Sequence, residues 1–336
     1  MIARVADHCF WFGRYLERIE SMARLLQVTG ALALDAELTP LQCWGPVVIT
    51  SGEQENFARL CGEAAASDGE TVQEYLSFRN DCPVSLARSV AAARENARSI
   101  REVISLEAWE SINELHLFMS GDGASGGAAR EEFGELRYGF YKRVRREVQL
   151  CQGLLRATML QDAPLDFIWL GVLLERLGQT ARILDVHHHA FTAAAQNSAP
   201  QDDAHAVVET ALWLSLLRAC YGFEPFMKRH HGPVTGQAVA SFLIFEEKFP
   251  RSVRHCLASA RQRLWAIRPP AQLEMPGLRA LERLRALDGW LTEKQTGALD
   301  AVTVHELLTQ VVDETHSAAA EISLDLLGAP IVAAAP

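Results

Sequence analysis

Basic residues are in deficit. Lys and Arg number 32 against 42 Asp and Glu, a net charge of −10, whereas a nucleic-acid footprint needs a surplus of cations on one face. No nucleic-acid partner is expected. Long uncharged apolar runs are missing too, and no window approaches the roughly 20 residues that a bilayer span requires. The opening "MIARVADHCFWFGRY" interrupts its apolar residues with Arg4, Asp7 and Arg14, so no signal-peptide core forms. No membrane partner and a cytoplasmic localisation are expected. The seven cysteines (Cys9, Cys43, Cys61, Cys82, Cys151, Cys220, Cys256) are odd in number and scattered, with no Cys-x-x-Cys. That argues against a disulfide framework or a zinc knuckle and fits a reducing cytosol.

Strand-like alternation is nearly absent. What is present is helical spacing. In "WFGRYLERIESMARLLQV" (Trp11 to Val28) the apolar residues Phe12, Tyr15, Ile19, Met22, Ala23 and Leu26 recur every three or four positions. Similar patterns cover roughly Glu53–Ala66, Val84–Ile104, Ala108–Met119, Arg130–Leu160, His205–Arg229, Arg251–Ala266, Leu278–Trp290 and Val304–Leu327. Breakers separate them: Pro40, Pro46, Pro83, "SGDGASGG", Pro164, "AAAQNSAPQDD", Pro233, Pro250, "RPP" and Pro276. The tail "GAPIVAAAP" reads as loose. Trp11, Trp109, Trp169, Trp213 and Trp265 are most simply core. The fold class expected is all-α.

The first helix is written twice. "WLGVLLERLGQTARILDV" (Trp169 to Val186) matches it without a gap, sharing Trp, Gly, Leu-Glu-Arg, Ala-Arg and the final Leu and Val. A second pair, "YLSFRNDCPVSLARSVAAAR" from Tyr75 and "FLIFEEKFPRSVRHCLASAR" from Phe242, follows in the same order, its offset longer by one loop-sized insertion. Ordered repetition points to a tandem duplication of a helical unit, with halves at 1–162 and 163–336.

On the repeated helix, Gly13, Glu17 and Arg24 fall opposite the apolar stripe, and Gly171, Glu175 and Arg182 do so in the second copy. A merely solvated face has no physical reason to repeat a Gly, a Glu and an Arg, so this face is expected to meet something. One reading is a structural ion-pair network across the bundle. The other is a cleft between the halves, lined by two Glu-Arg clusters, for a polar substrate or partner. A further cluster, "AARENARSIRE", carries Arg94, Glu95, Asn96, Arg98 and Arg101; it is a self-paired solvated face unless it turns inward as an anion site. "FPRSVR" places Arg251 and Ser252 at a helix start, where free N–H groups favour anions and where a Ser is more often only a cap.

Several patterns carry little. "GDGASG" and "GASGG" have the letters of phosphate-loop and nucleophile-elbow motifs, but both need a preceding strand, and a helix-like "INELHLFM" precedes them. "DVHHHA" and "DETH" offer His and carboxylates, yet a di-iron bundle wants Glu-x-x-His pairs and none occurs; the His run is expected to be a solvated helix end. No cofactor is expected, and no metal.

These residues resemble a bacterial family, the alpha-E domain proteins. The family's opening is similar to "RVADHCFWFGRYLERIESMARLL", its middle to "ARENARSIREVISLEAWESIN", and its second half to "FIWLGVLLERLGQTARILDV" and "FPRSVRHCL". The resemblance covers almost the whole chain. It implies an all-helical fold and a named glutamate at Glu17, with Glu175 as its internal counterpart. It also implies association with a circularly permuted ATP-grasp protein, often with a transglutaminase-like peptidase nearby. The second copy departs from the family's usual pattern at Val172, where a basic residue such as Arg14 is common, and at "RLGQT", which replaces a more polar run; the two sites are therefore expected to differ.

The functional expectation is a helical accessory subunit of an ATP-grasp amide-bond-forming system, which docks the partner or positions an acidic peptide. The alternatives are an enzyme using Glu17 as general acid or base, assisted by Arg18 or Arg24, and a metal-binding helical bundle. Glu17 and Glu175 are the catalytic candidates. The candidates for substrate or partner binding are Arg14, Arg18, Arg24, Arg94, Glu95, Asn96, Arg98, Arg101, Arg176, Arg182, Arg251 and Ser252.

Overall fold

Two helices longer than thirty residues organise the molecule: α1 (Ala3–Asp35) and α9 (Ala163–Gln196). The computed structural model describes residues 2–35, 38–121, 127–196, 203–267, 276–295, 299 and 301–328. Between the long helices come α2 (Pro40–Ser51), α3 (Gln54–Cys61), α4 (Gly69–Phe78), α5 (Leu86–Ser99), α6 (Leu106–Ser120), α7 (Ala128–Glu135) and α8 (Arg137–Thr158). After α9 follow α10 (Asp203–Ala219), α11 (Phe223–Arg229), α12 (Gly236–Phe245), α13 (Val253–Ile267), α14 (Leu278–Lys294) and α15 (Ala301–Ile322), the last running into a π turn at Ser323–Leu327. Among the described residues there is no strand, and no helix is long and apolar enough to cross a membrane.

The packing has a two-part plan. α1 gathers α5 and α8, with α6 bridging them, and α9 gathers α13 and α15, with α14 bridging those. α1 and α9 lie against each other, and α2 reaches over to α9 while α10 reaches over to α1. One continuous apolar core runs through both parts. The residue-162 boundary falls in the short connection between α8 and α9. The second pair of repeated motifs occupies matching places. "Leu-x-Phe" closes α4 at Phe78 and α12 at Phe245. "Pro-x-Ser" precedes α5 and α13, where Ser85 Oγ accepts from Arg88 N and Ser252 Oγ from His255 N.

α1 is buried on more than its apolar stripe. Phe12, Leu16, Ile19 and Leu26 are inside, and so are Gly13 and Glu17 on the other side, because α9 covers that face. The reason is legible at the two glycines. A Cβ on Gly13 would stand 2.0 Å from the Ile168 carbonyl oxygen, and one on Gly171 would stand 2.1 Å from that of Phe10. Only a residue without a side chain lets the backbones touch there. Contacts advance together along both helices, so α1 and α9 run in the same direction.

Several sequence expectations need correction. The pattern over Arg130–Leu160 is two helices, broken at the extended Leu136, and that over His205–Arg229 breaks at Tyr221 and Gly222. Pro46 does not end a helix but sits inside α2, buried; its packing offsets the lost backbone hydrogen bond. α2, α4 and α12 are short, and weak periodicity hid them. Their caps were the readable signal: the Thr39/Gln42 capping box, Asp68 and Thr235. Trp169 and Trp213 are core, Trp11 and Trp109 are half-buried, and Trp265 is 40% exposed. His187 and His188 are not a solvated helix end, because α9 continues past them: His187 Nδ1 bonds the Ile183 carbonyl, and His188 lies against Trp213. The Gly-rich segment joins two helices at Gly121 and Gly127, as the helix-like approach implied, and residues 122–126 lie outside the described residues. So do most of "AAAQNSAPQDD", all of "RPP" and all but the first residue of the tail.

The glycine contact predicts opposite signs for one substitution. Gly13→Ala and Gly171→Ala should each destabilise by roughly 3 kcal/mol or more, since two helix backbones must separate. Gly153→Ala, mid-helix in α8 with open space around its Cβ, should stabilise by about 0.5–1 kcal/mol. Urea unfolding of the three variants checks the order.

Candidate functional site

Just beyond the glycine contact, the two Glu-Arg dipeptides exchange partners. Glu17 Oε2 accepts from Arg176 Nη2 at 2.7 Å. Reciprocally, Glu175 Oε1 accepts from Arg18 Nε at 2.9 Å and Glu175 Oε2 from Arg18 Nη2 at 3.2 Å. Each carboxylate then takes a second guanidinium, but from a different place. Arg14 Nε donates to Glu175 Oε2 at 2.8 Å, whereas Arg251 Nη1, from the turn before α13, donates to Glu17 Oε1 at 2.7 Å. The equivalent of Arg14 in α9 is Val172, a core residue. Arg251 supplies the charge that Val172 cannot.

Both carboxylates are out of contact with solvent. Burial alone would raise their pKa values. The guanidiniums of Arg176 and Arg251 outweigh burial at Glu17 and hold it low; those of Arg18 and Arg14 do the same at Glu175, which is held well below the ordinary carboxylate range. Burial likewise opposes the charge of Arg251, and Glu17 and Glu20 overcome it, raising its pKa. A general acid or base needs the reverse condition, a carboxyl tuned toward neutrality and free to reach substrate. The geometry at Glu17 and Glu175 is that of a buried ion-pair knot.

The knot extends to residues that sequence reasoning missed. Glu20, fully buried, takes Arg251 Nη2 at 2.8 Å and the hydroxyl of Tyr221, and lies 3.8 Å from Arg145 Nε. Arg145 Nη2 and Gln149 Nε2 both donate to the Tyr221 oxygen at 2.6 Å. Tyr221 has φ +57°, and it is the described non-glycine residue with positive φ. It ends α10 in a left-handed cap, with Gly222 N bonding back to Leu217 O at 2.7 Å. A glycine would adopt that conformation without strain, so the phenol's bonds to Glu20, Arg145 and Gln149 are what hold a tyrosine there. Burial, then Glu20, pushes its pKa up to about 12. One signal for this extension was available: Glu20 lies one turn beyond Glu17 on the same face.

The remaining candidates divide. Arg24 joins the knot's edge: Nε donates to the Arg218 carbonyl at 2.7 Å at the end of α10, and its guanidinium lies 3.5 Å from the centre of the Tyr221 ring. Arg182 occupies the same place in α9, beside Arg14 and Arg18, with His316 Nε2 3.5 Å from its Nη1. Arg94, Glu95, Asn96, Arg98 and Arg101 are elsewhere. Arg98 pairs with Glu95 at 2.5 Å on an exposed face, Arg94 and Arg101 lie over Trp109, and Asn96 faces His8. That is the self-paired arrangement. Ser252 is the cap of α13.

Comparison with known proteins fits this geometry. The Alpha-E family, described as a predicted alpha-helical domain with a conserved ER motif, matches residues 1–326. Glu17-Arg18 and Glu175-Arg176 are two instances of that dipeptide. Over 269 residues the chain is 22% identical to the uncharacterized protein Mb2597 of Mycobacterium bovis and to the uncharacterized protein Rv2567 of Mycobacterium tuberculosis. Each match covers 77% of this chain but 29% of the relative, so the chain spans less than a third of the length of the curated relatives it matches. No solved structure matches it. The chain belongs to the Alpha-E family.

Two acid responses follow from the site and from the histidine near the end of α9. His187 is held neutral by burial, its pKa lowered from 6.5 to about 4, so the unfolded chain binds a proton that the fold does not between those values. Stability should fall as pH drops from 6.5 to 4, by about 3 kcal/mol at most, and His187→Leu should flatten that limb in chemical denaturation. The lowered Glu17 and Glu175 contribute fully above their unfolded value of 4.5 and are lost as pH falls below it. Glu17→Gln takes the carboxylate from Arg176 and leaves Arg251 with Glu20 alone, and should cost about 3–5 kcal/mol at neutral pH.

Proposed function

We propose that the chain is a helical accessory subunit of an ATP-grasp amide-bond-forming system, which docks the ATP-grasp protein or positions an acidic peptide while nucleotide chemistry stays on the partner. The observation that carries this reading is the state of the knot. Glu17 and Glu175 are consumed by two guanidiniums each, while guanidiniums remain in surplus around them. A scaffold that receives negative charge fits that state better than an acid-base catalyst does.

The lengths of the relatives support it. More than two thirds of each mycobacterial protein lies outside the match, as expected where this unit works beside a larger one. The same reading includes an origin by tandem duplication, supported by the exchanged contacts of α1 and α9, and a cytoplasmic place for the chain beside its partner. A transglutaminase-like peptidase acting on the same peptide completes the set of expected neighbours.

Co-expression with a circularly permuted ATP-grasp protein from the same organism tests the reading. The two should co-purify at a fixed stoichiometry, and ATP turnover by the partner with an acidic peptide should rise several-fold when this chain is added. A complete lack of association, with turnover unchanged, would refute it.

A further inference from the structure

The two ends of the knot are not balanced alike. In α1, Glu20 lies one turn before Arg24 and adds a second carboxylate to the one from Glu17, held by Arg251 and Tyr221 and not by Arg24 itself. The equivalent pair in α9, at the repeat offset of the first helix, is Gly178 and Arg182. The second carboxylate is missing there. Arg14, Arg18 and Arg182 share the single acid Glu175, whose oxygens are already taken by Arg14 and Arg18. Arg24 also has compensation that Arg182 lacks, since it caps the carbonyl end of α10 and stacks on Tyr221. Arg182 Nη1 instead approaches His316 Nε2 at 3.5 Å, an imidazole that carries no negative charge.

The backbone at this position tolerates a side-chain carbon. A Cβ at Gly178 would lie 3.6 Å from Nη2 and 3.9 Å from Cζ of Arg182, in ordinary contact and with no clash. This is unlike Gly13 and Gly171, where backbone forbids a side chain. The notch therefore faces a half-buried guanidinium that has no carboxylate at ion-pair distance among the described residues, a costly arrangement unless an anion arrives. Burial, together with the nearby Arg18 and Arg14, lowers the pKa of Arg182, and Glu175 only partly offsets them. Gly178 itself is buried, Arg182 and Arg18 are half-buried, and His316 at the rim is exposed.

We propose that the notch formed by Gly178, Arg182 and Arg18 binds a carboxylate of an acidic peptide, in the place that the Glu20 side chain fills in the other half. The planar fork of Arg182 matches two carboxylate oxygens, and Arg18 adds charge from α1. This rests on the accessory-subunit reading for the identity of the peptide, but the notch binds by its own chemistry, so it is tested on the purified chain alone.

Calorimetric titration and thermal melting with the peptide Glu-Glu-Glu test it, against an amidated Gln-Gln-Gln peptide and inorganic phosphate at equal ionic strength. Glu-Glu-Glu should bind the wild type and raise its melting temperature, with the neutral peptide inert and phosphate at least tenfold weaker. Gly178→Glu installs the acid four residues before Arg182, so it should raise the melting temperature without ligand and weaken the peptide at least tenfold. Arg182→Gln should keep the fold, lose the peptide and cost no stability, while Gly178→Ala should keep both fold and binding. Equal affinity for phosphate would overturn the carboxylate assignment. Absent peptide binding, or Gly178→Glu binding as the wild type does, would overturn the site. None of these outcomes bears on co-purification with the ATP-grasp protein, so failure of the notch and failure of the partnership are separable.

Discussion

Two glycines that let α1 and α9 touch at the backbone govern the rest of the structure. Because Gly13 and Gly171 bring the helices that close, the side chains one turn further on have no solvent gap to fill, and Glu17 and Glu175 become fully buried. A buried carboxylate needs compensation, and the nearest donors are the arginines following the glutamates in the facing copy. The exchange is therefore a consequence of closeness. It also fixes register, since sliding one helix along the other by a turn would leave both acids unpaired.

The same constraint explains why the two ends of the knot diverged in detail but not in kind. Val172 lacks the charge that Arg14 supplies to the opposite acid, and Arg251 enters from the turn before α13 to provide it. The substitution was tolerable because the requirement is two guanidiniums per buried carboxylate, whatever their origin. Glu20 and Tyr221 deepen one end. At the other, Gly178 puts no side chain beside the Arg182 guanidinium.

The class of the fold was legible because helical spacing is a local signal, and the repeated helix was legible because repetition needs no geometry. Periodicity even placed Gly13, Glu17 and Arg24 together on a face that meets something. It could not say that the something is the other copy, nor that Arg251 would arrive from 234 positions away. Tyr221 was invisible for a different reason: its importance lies in a left-handed backbone, which no spacing rule flags in a tyrosine. The basic cluster around Arg94 shows the opposite case, where the plainer of two readings of the spacing matches the pairing. Three arginines in one short stretch look like a site, but neighbours on their own and the adjoining helix satisfy them.

The crossing of α2 onto α9 and α10 onto α1 has a bearing on how the chain is made. When the first four-helix group leaves the ribosome, Glu17 has none of its guanidiniums, and the face of α1 that holds Gly13 is uncovered. Arg176 comes only with the middle of the chain, and Arg251 later still. The early half therefore stays incomplete until Arg176 and Arg251 are available, and closing the knot is a non-local step.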